Sequence, residues 1–133
     1  MPGETSLNVL IRSMSPELND GEYVFCSVAD IGMLNGASII GSFREREGLT
    51  VILERRDAQT LGLDCAYVMA WITLTVHSSL EAVGLTAAFA TALGGAGISC
   101  NVIAGFYHDH LFVGKDDAQR AVAVLRDLAR DAH

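Results

Sequence analysis

The sequence predicts an α+β protein: two ferredoxin-like β-α-β-β-α half-domains, each an antiparallel sheet with its helices on one side. Three observations carry this. The order strand, helix, strand, strand, helix can be traced twice along the chain. Residues 63–66, between the two tracings, are too few for a flexible linker, so half-domains 1–66 and 67–133 are expected in one body. Half of the 133 residues are hydrophobic and mean hydropathy is +0.33, enough for a core without staples. The competing arrangement is one irregular sheet without internal symmetry.

Taken in order, residues 7–12 read as an extra strand at the front, expected to pair with the sheet of the other half. Pro16 and Gly21 bound the loop after it. Residues 23–28 alternate as a strand. Residues 30–35 make one or two helical turns. A strand over 38–43, a charged turn over 44–48 and a returning strand over 49–53 follow. A short helix over 56–61 ends at Gly62. In the second half Val68, Ala70, Ile72, Leu74 and Val76 alternate with Met69, Trp71, Thr73 and Thr75. That period of two, apolar on both faces, marks a central strand. Ser78-Ser79-Leu80-Glu81 has capping-box spacing. Leu85, Phe89, Ala92, Leu93 and Ala96 recur at helical spacing, and Gly94, Gly95 and Gly97 end that helix. Residues 101–107 form the next strand, His108-Asp109 a turn, and 110–113 the return. Asp116 or Asp117 caps a last helix whose apolar face is Ala118, Ala121, Val122, Leu125, Leu128 and Ala129.

Charge narrows the function. Lys and Arg number 9 against 16 Asp and Glu, for a net charge of −7 and a pI near 4.8. Nucleic acid and anionic membranes select a cationic face, so neither is expected as a partner. The N-terminus lacks a basic, apolar leader, and no run approaches the roughly eighteen apolar residues of a membrane span. A cytoplasmic protein is expected. Cys26, Cys65 and Cys100 are odd in number and widely spaced, which fits reduced thiols rather than a zinc ribbon or redox pair. No G-x-S-x-G, H-E-x-x-H or Walker loop occurs, and Gly94-Gly95-Ala96-Gly97 follows a helix rather than a strand. A non-enzyme is expected, with no cofactor.

Segment 83–102 has Gly84-Leu85 at the helix start, a helix of small residues, and Ala96-Gly97-Ile98-Ser99-Cys100-Asn101 at its end. It resembles the first helix and second strand of an ACT domain, a small amino-acid-sensing module. Segments 77–86 and 103–110 are similar to those of small stand-alone tandem-ACT proteins, akin to aspartate kinase regulatory domains. Met14-Ser15-Pro16-Glu17-Leu18 and Gly21-Glu22-Tyr23-Val24-Phe25-Cys26 extend the likeness forward. The resemblance implies an ACT-type tandem fold, a regulatory role, a small-molecule ligand of amino-acid type, and a homodimer. Many ligand-binding members carry Pro-Gly or Asp-x-x-Gly where this chain has Val83-Gly84.

The turn around Ser78, Gly84, Leu85 and Thr86 lies at a helix N-terminus, where free N–H groups favour a carboxylate. Gly84 would let a ligand approach the backbone. Asn101 would meet the ammonium or the carboxylate. Val102 and Ile103, with Leu85, would sort ligand side chains by size. The structural alternative makes Ser78 a helix cap, Gly84 a steric convenience and Asn101 a sheet-edge polar group. His108 and His110, at i and i+2 on a strand, share a face and with His77 could clasp a metal. A polar hairpin turn is preferred and no metal site is expected. Arg44-Glu45-Arg46-Glu47 reads as a solvated hairpin tip. Arg55-Arg56 would hold a carboxylate or start the short helix and pair with nearby acids. Trp71 is core or an interface anchor. The alternative functions are an adaptor without ligand and a His-rich metal-binding protein.

Overall fold

The computed structural model describes residues 6–64, 66–75 and 84–132. In chain order the elements are α1 (Leu7–Ser13), β1 (Ser15–Leu18), β2 (Tyr23–Val28), a 3₁₀ turn (Ile31–Leu34), β3 (Gly41–Arg44), β4 (Leu49–Glu54), α2 (Arg55–Thr60), β5 (Met69–Thr75), α3 (Leu85–Gly95), β6 (Cys100–Ala104), β7 (Asp109–Gly114), a 3₁₀ turn (Lys115–Asp117) and α4 (Ala118–Asp131). The chain divides into two compact units. Asp20–Met69 is one, here the inserted unit. The described residues before and after it make the other, the terminal unit. The described residues up to Asn19 thus group with those from Ala70 onward.

In the inserted unit the strands run β3-β4-β2. Both pairings are antiparallel, with Cys26 and Ser42 each opposite Val51. Val24, Cys26 and Val28 alternate onto one face, where Val51, Leu53, Leu34 and Ala58 complete a core. The segment expected to give one or two helical turns gives a single 3₁₀ turn. Asp30 starts it by accepting the Gly32 N–H at 2.8 Å. Gly32 and Gly36 within so short a segment leave little propensity to extend it.

In the terminal unit the strands run β1-β5-β7-β6. Residues 7–12 correct the sequence expectation: they lie in a helix, not a strand. Leu7, Leu10, Ile11 and Met14 fall at i, i+3, i+4 and i+7, and the last three are buried. That is the stripe of a helix lying on a core. The pairing expected of that segment is made by β1, antiparallel to β5 with Pro16 opposite Leu74. Pro16 has no N–H to give a second neighbour, which suits an edge strand.

Helices α1, α3 and α4 contact one another and share one core with the sheet. Phe89, Leu93, Ile72, Leu74, Leu111 and Leu125 are wholly buried there. Helix α3 ends as its glycines suggest. Gly97 takes φ +75°. Its N–H bonds the Gly94 carbonyl at 3.0 Å, and the Ile98 N–H reaches back to Leu93 at 2.9 Å. These are the two bonds of a Schellman motif, with Ile98 and Leu93 buried together beneath it. Among the described residues no helix is long and apolar enough to cross a membrane.

Candidate functional site

Alternation in β6 and β7 sorts the expected site residues. Cys100 and Val102 pack onto the helix-side core, whereas Asn101 and Ile103 are exposed. Asn101 stands opposite Phe112 and Ile103 opposite His110. Gly84 is the N-cap of α3 at φ +96°. Leu85 is 5% exposed within the core, and Thr86 is exposed. Ser78 and the capping-box segment, with His77, lie outside the described residues. The chain thus brings Leu85 and Val102 into one core rather than around a cavity. Gly84 and Asn101 lie before and after α3, whose eleven residues span about 16 Å. One chain does not bring them together.

A cleft of about 660 Å³ opens instead in the inserted unit. Its walls are the turn leaving β2 and the β3–β4 hairpin, with Asp30, Ile31, Ser42, Arg44, Arg46 and Glu47 among its lining. The hairpin is closed by the Glu45 N–H on the Gly48 carbonyl at 2.9 Å. The Thr50 hydroxyl donates to the Glu45 carboxylate. Among the described residues, Arg44, Arg46, Asp30 and Glu47 have no ion-pair partner. Two arginines and three carboxylates, Glu45 included, therefore line the cleft, with no ion pair among them. The sequence reading treated 44–47 as a solvated tip and passed over Asp30. The doubled element order was the signal available: the turn after β2 in one half corresponds to the turn after β5 in the other.

A smaller cleft of about 300 Å³ is lined by Gly21, Glu22, Glu54, Arg55, Arg56 and Gln59. Its charges are already matched. Arg55 Nη1 donates to Glu22 Oε1 at 2.9 Å, and Arg56 lies 3.8 Å from Glu54. Arg55-Arg56 thus starts α2 and pairs with acids.

Among the described residues no group of three or more His, Cys, Asp and Glu stands where it would hold an ion. His110 lies on β7, with its Nδ1 3.1 Å from the indole nitrogen of Trp71. Burial lowers the His110 pKa from its ordinary 6.5, with His108 adding to the effect and Asp109 opposing it. Burial raises the Asp109 pKa above 3.8, opposed by both histidines.

Family models described as ACT domain match residues 2–70 and residues 68–127. A crystal structure of a Vibrio cholerae protein of unknown function, described as a possible transport protein, is 54% identical. It covers 94% of this chain and 97% of that chain, with a TM-score of 0.86. The ligand-free regulatory subunit of aspartate kinase from Thermus thermophilus superposes with a TM-score of 0.62 at 9% identity, covering 85% of this chain and 95% of that one. E. coli aspartokinase III, in complex with aspartate and ADP, gives 0.61 at 13% identity, over 92% of this chain and 34% of that one. At such identities these two share the fold alone. No curated protein matches the chain.

Proposed function

The chain belongs to the ACT-domain family, as two such domains in tandem, and from that premise we propose that it is a regulatory module without catalytic activity that binds a small amino-acid-like zwitterion. The observation that carries the reading is the cleft of about 660 Å³ with both signs of unmatched charge. Its size is that of a small-molecule site. A ligand carboxylate would pair with Arg44 or Arg46, where guanidinium geometry allows two parallel hydrogen bonds. The ammonium would face Asp30 and Glu47. Ile31 would supply apolar contact for the side chain.

The corresponding turn of the terminal unit remains the second placement, with Gly84, Leu85 and Thr86 at one end of α3 and Asn101, Val102 and Ile103 beyond the other. The separation along α3 means that one ligand would touch both ends only if two copies supplied them. That supports a homodimer. So do the edges of β3 and β6, unpaired among the described residues, which carry the exposed apolar side chains Phe43 and Ile103.

The test is a thermal-shift screen of the purified chain against the twenty amino acids, followed by calorimetry on the best hit. A ligand at 100 times its Kd adds about 2.7 kcal/mol of stability. Arg44→Gln should then weaken binding by about 1.5–3 kcal/mol, the value of a hydrogen bond to a charged group. A loss on Asn101→Ala with Arg44→Gln unaffected would move the site to the terminal unit. Absence of binding by every amino acid would put the adaptor reading ahead. Sedimentation showing only monomer at micromolar concentration would remove the homodimer.

A further inference from the structure

On the sheet face of the terminal unit opposite its helices, Trp71 and Thr73 meet at the His110 ring nitrogen, and Asn19 bonds Thr73 from behind. The Asn19 amide donates to the Thr73 hydroxyl oxygen at 3.0 Å and to the Trp71 carbonyl at 3.2 Å. The Asn19 backbone N–H bonds the same Trp71 carbonyl at 2.9 Å. With its oxygen taken by Asn19, Thr73 has its own hydrogen to give, and His110 Nδ1 lies 3.2 Å away. The indole N–H of Trp71 points at the same Nδ1 from 3.1 Å.

An indole nitrogen only donates. His110 Nδ1 must therefore carry the lone pair, and the neutral ring holds its proton on Nε2. We propose that His110 is a proton-sensitive lock between β5 and β7, closed by the Trp71 N–H while the ring is neutral and opened when Nδ1 takes a proton. The protonated ring has N–H groups at both nitrogens. Its Nδ1 hydrogen then faces the Trp71 N–H, which cannot accept, so the bond to Trp71 is lost, while the Thr73 hydroxyl can turn to accept with its second lone pair.

The ring has little room to turn away. A Cβ at Gly105 would stand 3.3 Å from its Cδ2 and Nε2, so the β6–β7 hairpin backbone lies against it. Movement therefore falls to Trp71, whose ring stacks on Phe112 at 6.1 Å and 17° and tilts against His110 at 5.7 Å. Among the described residues, the charged groups acting on His110 are Asp109 and His108 on its own hairpin, and Glu17 on β1 stands opposite Thr73 in register. The β6 residue opposite His110 is Ile103, which brings no charge. Burial and His108 outweigh Asp109 in disfavouring the imidazolium, so the lock is closed at neutral pH and opens in mild acid.

Trp71 is the single tryptophan of the chain, so its emission reports on the lock directly. The full chain is titrated from about pH 7.5 to 4.5, the range in which a histidine near its ordinary pKa changes charge. Far-UV circular dichroism is followed in parallel. We expect a reversible change in Trp71 emission with its midpoint below about 6.5, while the circular dichroism stays constant. His110→Gln, which keeps an acceptor but does not titrate, should lose that change. His108→Gln should keep it. Imidazole ¹⁵N shifts of the native chain at neutral pH should show the Nε2–H tautomer. A flat native titration, the same transition in His110→Gln, or an Nδ1–H tautomer would each overturn the proposal. The tautomer measurement decides even if His110→Gln fails to fold.

Discussion

Gly84 separates a backbone requirement from a ligand requirement. Its φ of +96° lies where L side chains are strained, and a Cβ there would stand 3.2 Å from Leu7 Cδ2 on α1. For Gly84→Ala the left-handed conformation costs about 1–2 kcal/mol. The lower entropy of the unfolded alanine chain returns about 0.4–1 kcal/mol. The net cost is near 1 kcal/mol. Leu7 meets the new atom with a methyl at the end of a flexible side chain, so the steric part is the smaller one. Asn at this position should cost less than Ala, because its side chain can hydrogen-bond locally in the left-handed region. Val should cost more than about 2 kcal/mol, being β-branched at positive φ. Urea denaturation followed by far-UV circular dichroism should rank the variants Gly, Asn, Ala, Val from most to least stable. Repeating Gly84→Ala in a Leu7→Ala background should remove only the steric part. An alanine variant as stable as the native chain would refute the reasoning. So would complete rescue by Leu7→Ala, which would place the whole penalty in the contact. Loss of ligand binding in a Gly84 variant is thus informative only after its folding cost has been subtracted.

Phe89→Ala should be the more damaging core change. The ring is wholly buried among Leu93, Leu125 and the sheet, so about 3–5 kcal/mol is expected; a loss below about 1 kcal/mol in urea titration would mean that α3 does not anchor this core. Stability against pH should show two contributions of opposite sign. The His110 pKa is lowered on folding from 6.5, so the unfolded chain takes that proton first. Its contribution is full above about 6.5, falls as pH drops through the window below, and levels off under the folded value. The Asp109 pKa is raised from 3.8, so its ionisation opposes folding. Lowering pH through the folded value regains stability, down to about 3.8. Urea midpoints of His110→Gln should lack the first decline and those of Asp109→Asn the second recovery. Curves identical to the native one would refute the assignments.

Local periodicity made much of the fold legible. Residues 23–28 alternate without interruption, and β2 has those bounds. The helical spacing of Leu85, Phe89 and Leu93, with glycines after it, fixed α3 and its end. The ACT resemblance rested on the same stretch, because a glycine turn and a small-residue helix leave a local signature. The front of the chain was misread for a physical reason. Six residues with four apolar ones fit either period, and the helical reading of Leu7, Leu10 and Ile11 wins only because α3 and α4 offer a surface for that stripe. The strand Ser15–Leu18 is short, half polar and mostly exposed, so nothing local announces it; β5 makes it a strand by pairing with it. The same holds for the functional chemistry. His110 reads as part of a turn until folding brings Trp71 and Thr73 to its Nδ1, and residues 44–47, exposed as a solvated tip should be, line a cleft only because the turn carrying Asp30 forms the opposite wall. Propensity and period act between near neighbours and are written in the sequence. Hydrogen-bond direction at a buried nitrogen, and which charges face one cleft, depend on contacts between residues far apart in the chain, and only the tertiary structure decided those.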